Sequence, residues 1–139
     1  MKKLLIALAI LSLTGCATIK QTTLYRAWNM AKFDNVEYDK INRIHTDANL
    51  GAAKCGTTEV VPMVESLWYK SVELKNYSAS IPFNEETVKM TTELAEIVKG
   101  LNVRYRSKED ISLTYCTTKF GTIEKNAVTI QNVIGAKPR

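Results

Sequence analysis

The chain has 139 residues, of which 45% are hydrophobic and 24% are charged, and this length and composition fit one globular domain. Its formal net charge of +5 becomes +3 without Lys2 and Lys3, and the other basic residues are scattered among acids, so we expect no nucleic-acid partner. One histidine and three cysteines leave few residues for a metal site or a nucleophile pair.

The first fifteen residues have the pattern of a secretory signal peptide. Lys2 and Lys3 form a positive region, an apolar stretch runs from Leu4 to Leu11, and small residues then lead to Cys16. As a helix, the apolar stretch would be roughly 12 Å long, which is less than half the thickness of the hydrocarbon core of a membrane. We therefore expect a cleaved signal and not a membrane span.

Cys16 at the end of this segment indicates a lipid anchor. The sequence LTGC at 13–16 resembles the lipobox of bacterial lipoproteins, in which the cysteine thiol receives a diacylglycerol and becomes the first residue after cleavage. The alternative is an ordinary signal peptide with an incidental cysteine, although such signals favour the Ala-x-Ala pattern. The resemblance implies three acyl chains, which together anchor a protein almost permanently. Ala17, in place of Asp, implies the periplasmic face of the outer membrane.

The sequence predicts four regions: a signal peptide over 1–15, a lipidated tether over 16–23, a helical domain over 24–134 and a flexible tail over 135–139. Cys55 and Cys116 remain in the domain, in a compartment that oxidises thiols. Such a pair most simply forms a disulfide, because a metal site would need further ligands and His45 is the only histidine. We expect no metal and no cofactor.

The hydrophobic period of the domain is helical from its start. Leu24, Trp28 and Ala31 fit a short leading helix. Asp34 and Glu37 have the spacing of a capping pair for the next helix. One face of that helix carries five small or apolar residues: Ile41, Ile44, Ala48, Ala52 and Cys55.

Two more helices are predicted in the middle of the chain. The first starts near Thr57 or Thr58, ends before the turn residues of NYSASIP at 76–82, and has a wide apolar arc. This arc contains Val60, Val64, Leu67, Trp68, Ser71, Val72 and Leu74. The second is predicted over 84–106 with Asn84 as its N-cap. Its apolar stripe consists of Met90, Leu94, Ile97, Leu101 and Tyr105.

A last helix is predicted after a cap-like pair, Ser107 and Asp110. Its stripe recurs at spacings of three and four: Leu113, Cys116, Phe120, Ile123, Ala127, Ile130 and Ile134. The alternative is a strand across 111–120, where Thr, Ile and Tyr favour sheets. Because the helical period holds over more positions, we predict an all-α fold: an antiparallel bundle of four main helices plus the short leading one. Both domain cysteines lie on apolar stripes, which supports one disulfide across the core.

No set of residues indicates catalysis. His45 lies one position past the apolar face of its helix and reads more simply as a boundary residue than as a general base. Paired acids, such as Glu85 and Glu86, lie where first turns favour negative charge. We therefore expect no enzyme and no small-molecule substrate.

The apolar content of the domain fits the binding of a protein partner better than it fits catalysis. A groove between two helices could bind an amphipathic helix, and periodicity alone gives five candidate lining residues: Trp68, Tyr69, Val72, Leu94 and Val98. The alternative is that Trp68 is a core residue.

Part of the domain also resembles a known family. CGTTEVVP at 55–62, which follows a helix and precedes the helical SLWYKSVELKNY at 66–77, is similar to the PulS/OutS-type pilotins of type II secretion systems. The resemblance covers residues from about 36 to 130. It implies a four-helix bundle with one disulfide to the last helix, and Cys55 and Cys116 match that pair in order and helix context. The Thr-rich last helix departs from the family's pattern.

The resemblance implies a carrier function without chemistry. A pilotin binds the C-terminal segment of its secretin, which becomes helical in a groove of the bundle, and its acyl chains direct the secretin to the outer membrane for assembly. Ordering such a segment costs free energy, so the affinity would come from buried apolar anchors. Three other interpretations remain open: an immunity, exclusion or inhibitor lipoprotein with a charged epitope, a structural accessory of the envelope, and an enzyme.

Overall fold

The computed structural model describes residues 30–107 and 110–139. These residues form four helices and no strand: α1 (Asn35–Ala53), α2 (Val60–Ser80), α3 (Glu85–Arg106) and α4 (Leu113–Gly135). The predicted all-α bundle is therefore confirmed. The predicted signal peptide, the tether and residues 24–29 of the leading helix lie outside the described residues.

The four helices pack as a closed ring around one core. Each helix contacts its two neighbours, α1 closes the ring against α4, and the most extensive interfaces are those of α1 with α4 and of α2 with α3. Short connections make consecutive helices antiparallel. The fully buried residues of the stripes meet at the centre, and the largest of them are Ile41, Ile44, Leu67, Leu74, Leu94, Leu101, Phe120, Ile123, Ile130 and Ile134.

Of the predicted capping pair at the start of α1, only Asp34 caps the helix. The side chain of Asp34 caps the helix, because its Oδ1 accepts a hydrogen bond of 2.8 Å from the backbone N–H of Glu37. The ring of Phe33, before the cap, lies 5.7 Å from the ring of Tyr38, which fixes the angle at which the chain enters the helix. The side chain of Glu37 is fully buried and bonds elsewhere.

The start of α4 differs from the prediction. Ser107 is the C-cap of α3, and its backbone N–H donates to Val103 O at 2.9 Å. Ser112 caps α4 instead, since its Oγ accepts from the backbone N–H of Tyr115 at 3.2 Å. The strand alternative for 111–120 is excluded from Leu113 onward, where the chain is helical.

The turn between α2 and α3 contains a bulky residue in an unusual conformation. Phe83 has φ +59°, and it is the only residue other than glycine with a positive φ in the described ranges. Such a conformation costs about 1–2 kcal/mol for a residue with a Cβ. Phe83 is also 57% exposed, so burial of its ring does not offset this cost.

A glycine sets the close approach of α1 to α4. Gly51 is buried in α1, and a Cβ placed there would lie 2.1 Å from Cε1 of Phe120. No side chain larger than hydrogen therefore fits while the ring of Phe120 keeps its position. Gly100, in α3, is exposed and has open space where a Cβ would go.

Replacing Gly51 by alanine is expected to lower the free energy of unfolding by about 1–3 kcal/mol, because overpacking forces Phe120 or α1 to move. Gly100→Ala is the matched control and should raise stability by about 0.5–1 kcal/mol through helix propensity. Urea denaturation of both variants measures the two effects. Equal stability of both variants would contradict the close packing of Gly51 against Phe120.

Candidate functional site

The proposed lipid attachment residue, Cys16, lies outside the described residues. The domain itself begins where the chain reaches Ala31, whose backbone N–H donates to Phe83 O at 3.1 Å. Ala31 therefore lies at the end of the bundle where α2 turns into α3. We call this end of the bundle the tether end, and the opposite end the disulfide end.

The predicted disulfide is confirmed at the disulfide end. Cys55, just after α1, is bonded to Cys116, in the first turn of α4, with an S–S distance of 1.95 Å and a Cα–Cα distance of 5.8 Å. The hydroxyl of Tyr105 donates to Sγ of Cys116 at 3.0 Å. Burial, and then the charge of nearby Tyr115, raise the pKa of Tyr105, so this hydroxyl keeps its proton above the usual range of a tyrosine.

Two of the five predicted groove residues do not line an exposed groove. Leu94 and Val98 are fully buried, and with Leu101 they form the central stripe of α3. Their spacing of four and three residues points them at the bundle axis. The prediction is thus corrected for these two: they belong to the core, and a partner could contact them only if α3 moved away from its neighbours.

The other three groove residues lie together on the outside of α2. Trp68 and Val72 are half-buried, and Tyr69 is 57% exposed. The rings of Trp68 and Tyr69 are 5.0 Å apart. The guanidinium of Arg106, from α3, lies 5.9 Å from the ring of Trp68.

An ion pair holds that guanidinium in place. Arg106 is bonded to the carboxylate of Glu65, one turn before Tyr69, and this carboxylate raises the pKa of Arg106 further above its usual range. The five residues Glu65, Trp68, Tyr69, Val72 and Arg106 are named the Trp68 surface. It is an aromatic and apolar surface with a paired charge at its edge, and not a deep cleft.

The sequence analysis missed a buried polar network at the tether end. Glu37, from the first turn of α1, is fully buried, and its Oε2 accepts from Nζ of Lys137 at 2.6 Å. The same Nζ donates to Oδ1 of Asn84 at 2.6 Å. The amide of Asn84 in turn donates to the other oxygen of Glu37 at 2.7 Å and to Ser78 O at 3.0 Å.

The network involves a contact from every helix or its flanking residues. Glu37 belongs to α1, Ser78 to α2, Asn84 precedes α3 and Lys137 follows α4. Asn84 is the N-cap residue of α3 but makes no side-chain capping bond; its Oδ1, the atom that would cap the helix, accepts from Lys137 instead. In the part of the chain that the structure describes, Oγ of Ser78 is the one buried side-chain oxygen or nitrogen without a hydrogen-bond partner.

The C-terminal residues differ from the predicted flexible tail over 135–139. Gly135 completes α4, and the side chain of Lys137 is only 5% exposed. Phe33 donates its backbone N–H to Pro138 O at 2.9 Å, and the guanidinium of Arg139 lies 5.4 Å from the ring of Phe33. These contacts attach the last residues to the start of α1.

The remaining polar residues make structural contacts between helices. His45 is half-buried, 3.4 Å from the amide of Gln131 and 3.7 Å from the carboxylate of Glu124. Tyr77 donates to both carboxylate oxygens of Asp34 at 3.2 Å; burial and this hydrogen bond raise the pKa of Tyr77. Within 30–107 and 110–139, no three His, Cys, Asp or Glu residues are placed to hold a metal ion.

None of the helices in the described ranges is both long and apolar enough to cross a membrane. Comparisons of the chain with protein-family models, with curated proteins and with solved structures found no match.

The buried network predicts a large loss of stability when its cation is removed. Lys137→Met leaves the carboxylate of Glu37 buried without its partner, and the expected loss is about 3–5 kcal/mol. Lys40→Met is the control. It removes a Lys–Glu ion pair of the same length, but Glu73 is 62% exposed, so the loss should be only about 0–1 kcal/mol. Chemical denaturation of both variants measures the difference.

A double variant tests whether the cost comes from the unpaired charge. Adding Glu37→Leu to Lys137→Met removes both charges and should recover most of the stability. A double variant no more stable than Lys137→Met would show that contacts other than the charge pair dominate.

Proposed function

We propose that this chain is an outer-membrane lipoprotein that binds a partner protein, as a pilotin-type carrier for the C-terminal segment of a secretin. The observation that carries the proposal is the LTGC sequence ahead of a four-helix bundle with one disulfide to its last helix. The lipid anchor would give the complex its destination, and the bundle would supply the binding surface. The protein performs no covalent chemistry in this function.

The Trp68 surface is the part of the bundle that best suits such a partner. A segment that becomes ordered on binding needs apolar anchors to offset its lost entropy, and aromatic residues supply large contact area with few rotatable bonds. Trp68 and Val72 are four residues apart on one helix face, which is the spacing that an amphipathic helix can follow. The paired Arg106 and Glu65 would lie at the rim of the interface.

The anchor is tested by Cys16→Ser in cells that contain the cognate secretin. We expect the variant protein to fold and to accumulate without its lipid, while the secretin stays as unassembled monomer in the inner membrane. Deleting the gene should have the same effect. Membrane fractionation and gel analysis of heat-resistant secretin multimers give the result. Unchanged multimers and secretion would refute the carrier function and would favour an immunity, exclusion or inhibitor lipoprotein.

The binding surface is tested separately with the purified bundle and the secretin C-terminal peptide. Val72→Ser with Tyr69→Ala should weaken binding about tenfold or more, because both changes remove apolar contact area. Val128→Ser, on α4, is the control, because Val128 is 38% exposed and lies outside the Trp68 surface. Calorimetric titration measures the dissociation constants. Equal weakening by the control would contradict the placement of the site on α2.

A further inference from the structure

We propose that the loop between α2 and α3 contacts the lipid surface and orients the bundle on the membrane. The loop consists of Ile81, Pro82 and Phe83, with a buried Asn84 next to it. The surface that the loop contacts would be the bilayer that holds the acyl chains of Cys16. This proposal rests on the lipid attachment in the proposed function, and it adds the orientation that an anchor alone does not give.

The first argument comes from the side chains of the loop. Phe83 is 57% exposed and Pro82 is exposed, so two adjacent apolar residues project from the tether end. Together with Ala79, Ile81 and Val88 they line a shallow, mainly apolar depression. Aromatic and apolar side chains on a projecting loop are typical of residues that insert at the boundary of headgroups and acyl chains.

The second argument is that the structure holds Phe83 in this exposed position at a cost. Its positive φ disfavours a residue with a Cβ, and glycine or asparagine would adopt it more easily. Phe83 O accepts from the backbone N–H of Ala31, and the side chain of the next residue, Asn84, is bonded to Glu37, Lys137 and Ser78 O. These contacts hold the backbone that follows Phe83 in place, while its ring stays exposed to solvent.

The third argument is the place where the anchored segment joins the bundle. Residues 17 to 30, even fully extended, span at most roughly 50 Å. The segment ends at Ala31, whose backbone N–H donates to Phe83 O, so the loop lies beside the residue at which the chain from Cys16 enters the domain. The disulfide end lies at the opposite end of α2, which has 21 residues and is about 32 Å long.

The charges around the loop indicate that apolar insertion, and not attraction to anionic headgroups, drives the contact. Lys32, Lys89 and Arg139 are exposed at the tether end, and the exposed Glu85 and Glu86 together with the half-buried Asp34 balance them. A balanced rim gives little net attraction to an anionic surface. The contact should therefore form on neutral phosphatidylcholine and should change little with salt.

The test places a fluorescent residue in the loop of the anchored protein. The mature chain, from Cys16 to Arg139, is coupled through the thiol of Cys16 to a maleimide lipid in phosphatidylcholine vesicles with brominated acyl chains. Phe83→Trp is compared with Tyr69→Trp, since Tyr69 is also 57% exposed but lies on the outside of α2. The quenching of the unsubstituted protein, which contains Trp28 and Trp68, is subtracted from both.

We expect bromine to quench the tryptophan at position 83 at least about twofold more than the one at 69, with a blue-shifted emission. This difference should persist when salt is raised from about 0.05 M to about 0.5 M. Equal quenching at both positions, or none at 83, would overturn the proposal. So would quenching that disappears with salt, since it would indicate adsorption by charge.

A second variant addresses the possibility that tryptophan at 83 disturbs the turn. Phe83→Asn removes the ring and suits a positive φ. The midpoint temperature of its thermal unfolding should therefore be at least as high as that of the unchanged protein. Without coupling to lipid, its partition onto vesicles in a sedimentation assay should fall about tenfold, while Tyr69→Asn leaves the partition unchanged. Equal partition of Phe83→Asn and the unchanged chain would also overturn the proposal.

These results are independent of the carrier function. The maleimide lipid supplies the anchor, so a failed quenching test leaves the proposed acylation and secretin binding as they are. Conversely, a mature protein whose mass shows no acyl chains would remove the proposed function without altering the measured contact of the loop.

Discussion

The buried pair of Glu37 and Lys137 is the constraint on which the tether end of the bundle depends. A carboxylate and an ammonium removed from water lose several kcal/mol of hydration each, and only close pairing with further hydrogen bonds compensates. Here Asn84 supplies those further bonds, by accepting from the ammonium and donating to the carboxylate. Because the three groups are bonded to one another, they hold the start of α1, the turn before α3 and the last residues together.

That constraint explains two local features that helix rules alone do not. Asn84 stands at the N-cap of α3, but its side chain serves the network, so α3 begins without a side-chain cap. Phe83, the preceding residue, takes a positive φ although glycine would fit better. In both cases a local preference of roughly 1–2 kcal/mol is outweighed by the need to satisfy a buried charge.

The bundle could be predicted from the sequence because its information is local and repeated. The stripe from Cys116 to Ile134 recurs with the helical period, and this outweighed the sheet preference of threonine in the same segment. The structure shows how α4 tolerates these threonines: the hydroxyls of Thr117, Thr122 and Thr129 donate to carbonyl oxygens four residues earlier. The disulfide also followed from a simple count, since only two cysteines remain in the domain.

The candidate surface and the network could not be predicted in the same way. Periodicity shows that a residue lies on an apolar face but not whether another helix covers it, and therefore it did not separate Leu94 and Val98 from Trp68 and Val72. The network joins residues 100 positions apart, Glu37 and Lys137, and a lysine near a C terminus gives no sign that it is buried. Glu37 lies at the position where a capping box has an acid, so the sequence pattern assigns it to a helix cap and not to a buried ion pair.

The two proposals combine into one geometry along α2. Trp68 and the loop at Ile81 are thirteen positions apart on or next to the same helix, which corresponds to about 20 Å. With Phe83 at the lipid surface, the Trp68 surface would stand above the membrane by up to that distance, depending on the tilt of the helix. A secretin segment on the periplasmic side could then reach it without entering the headgroup region. Under the two proposals together, the loop contact would select the face of the bundle that a partner meets.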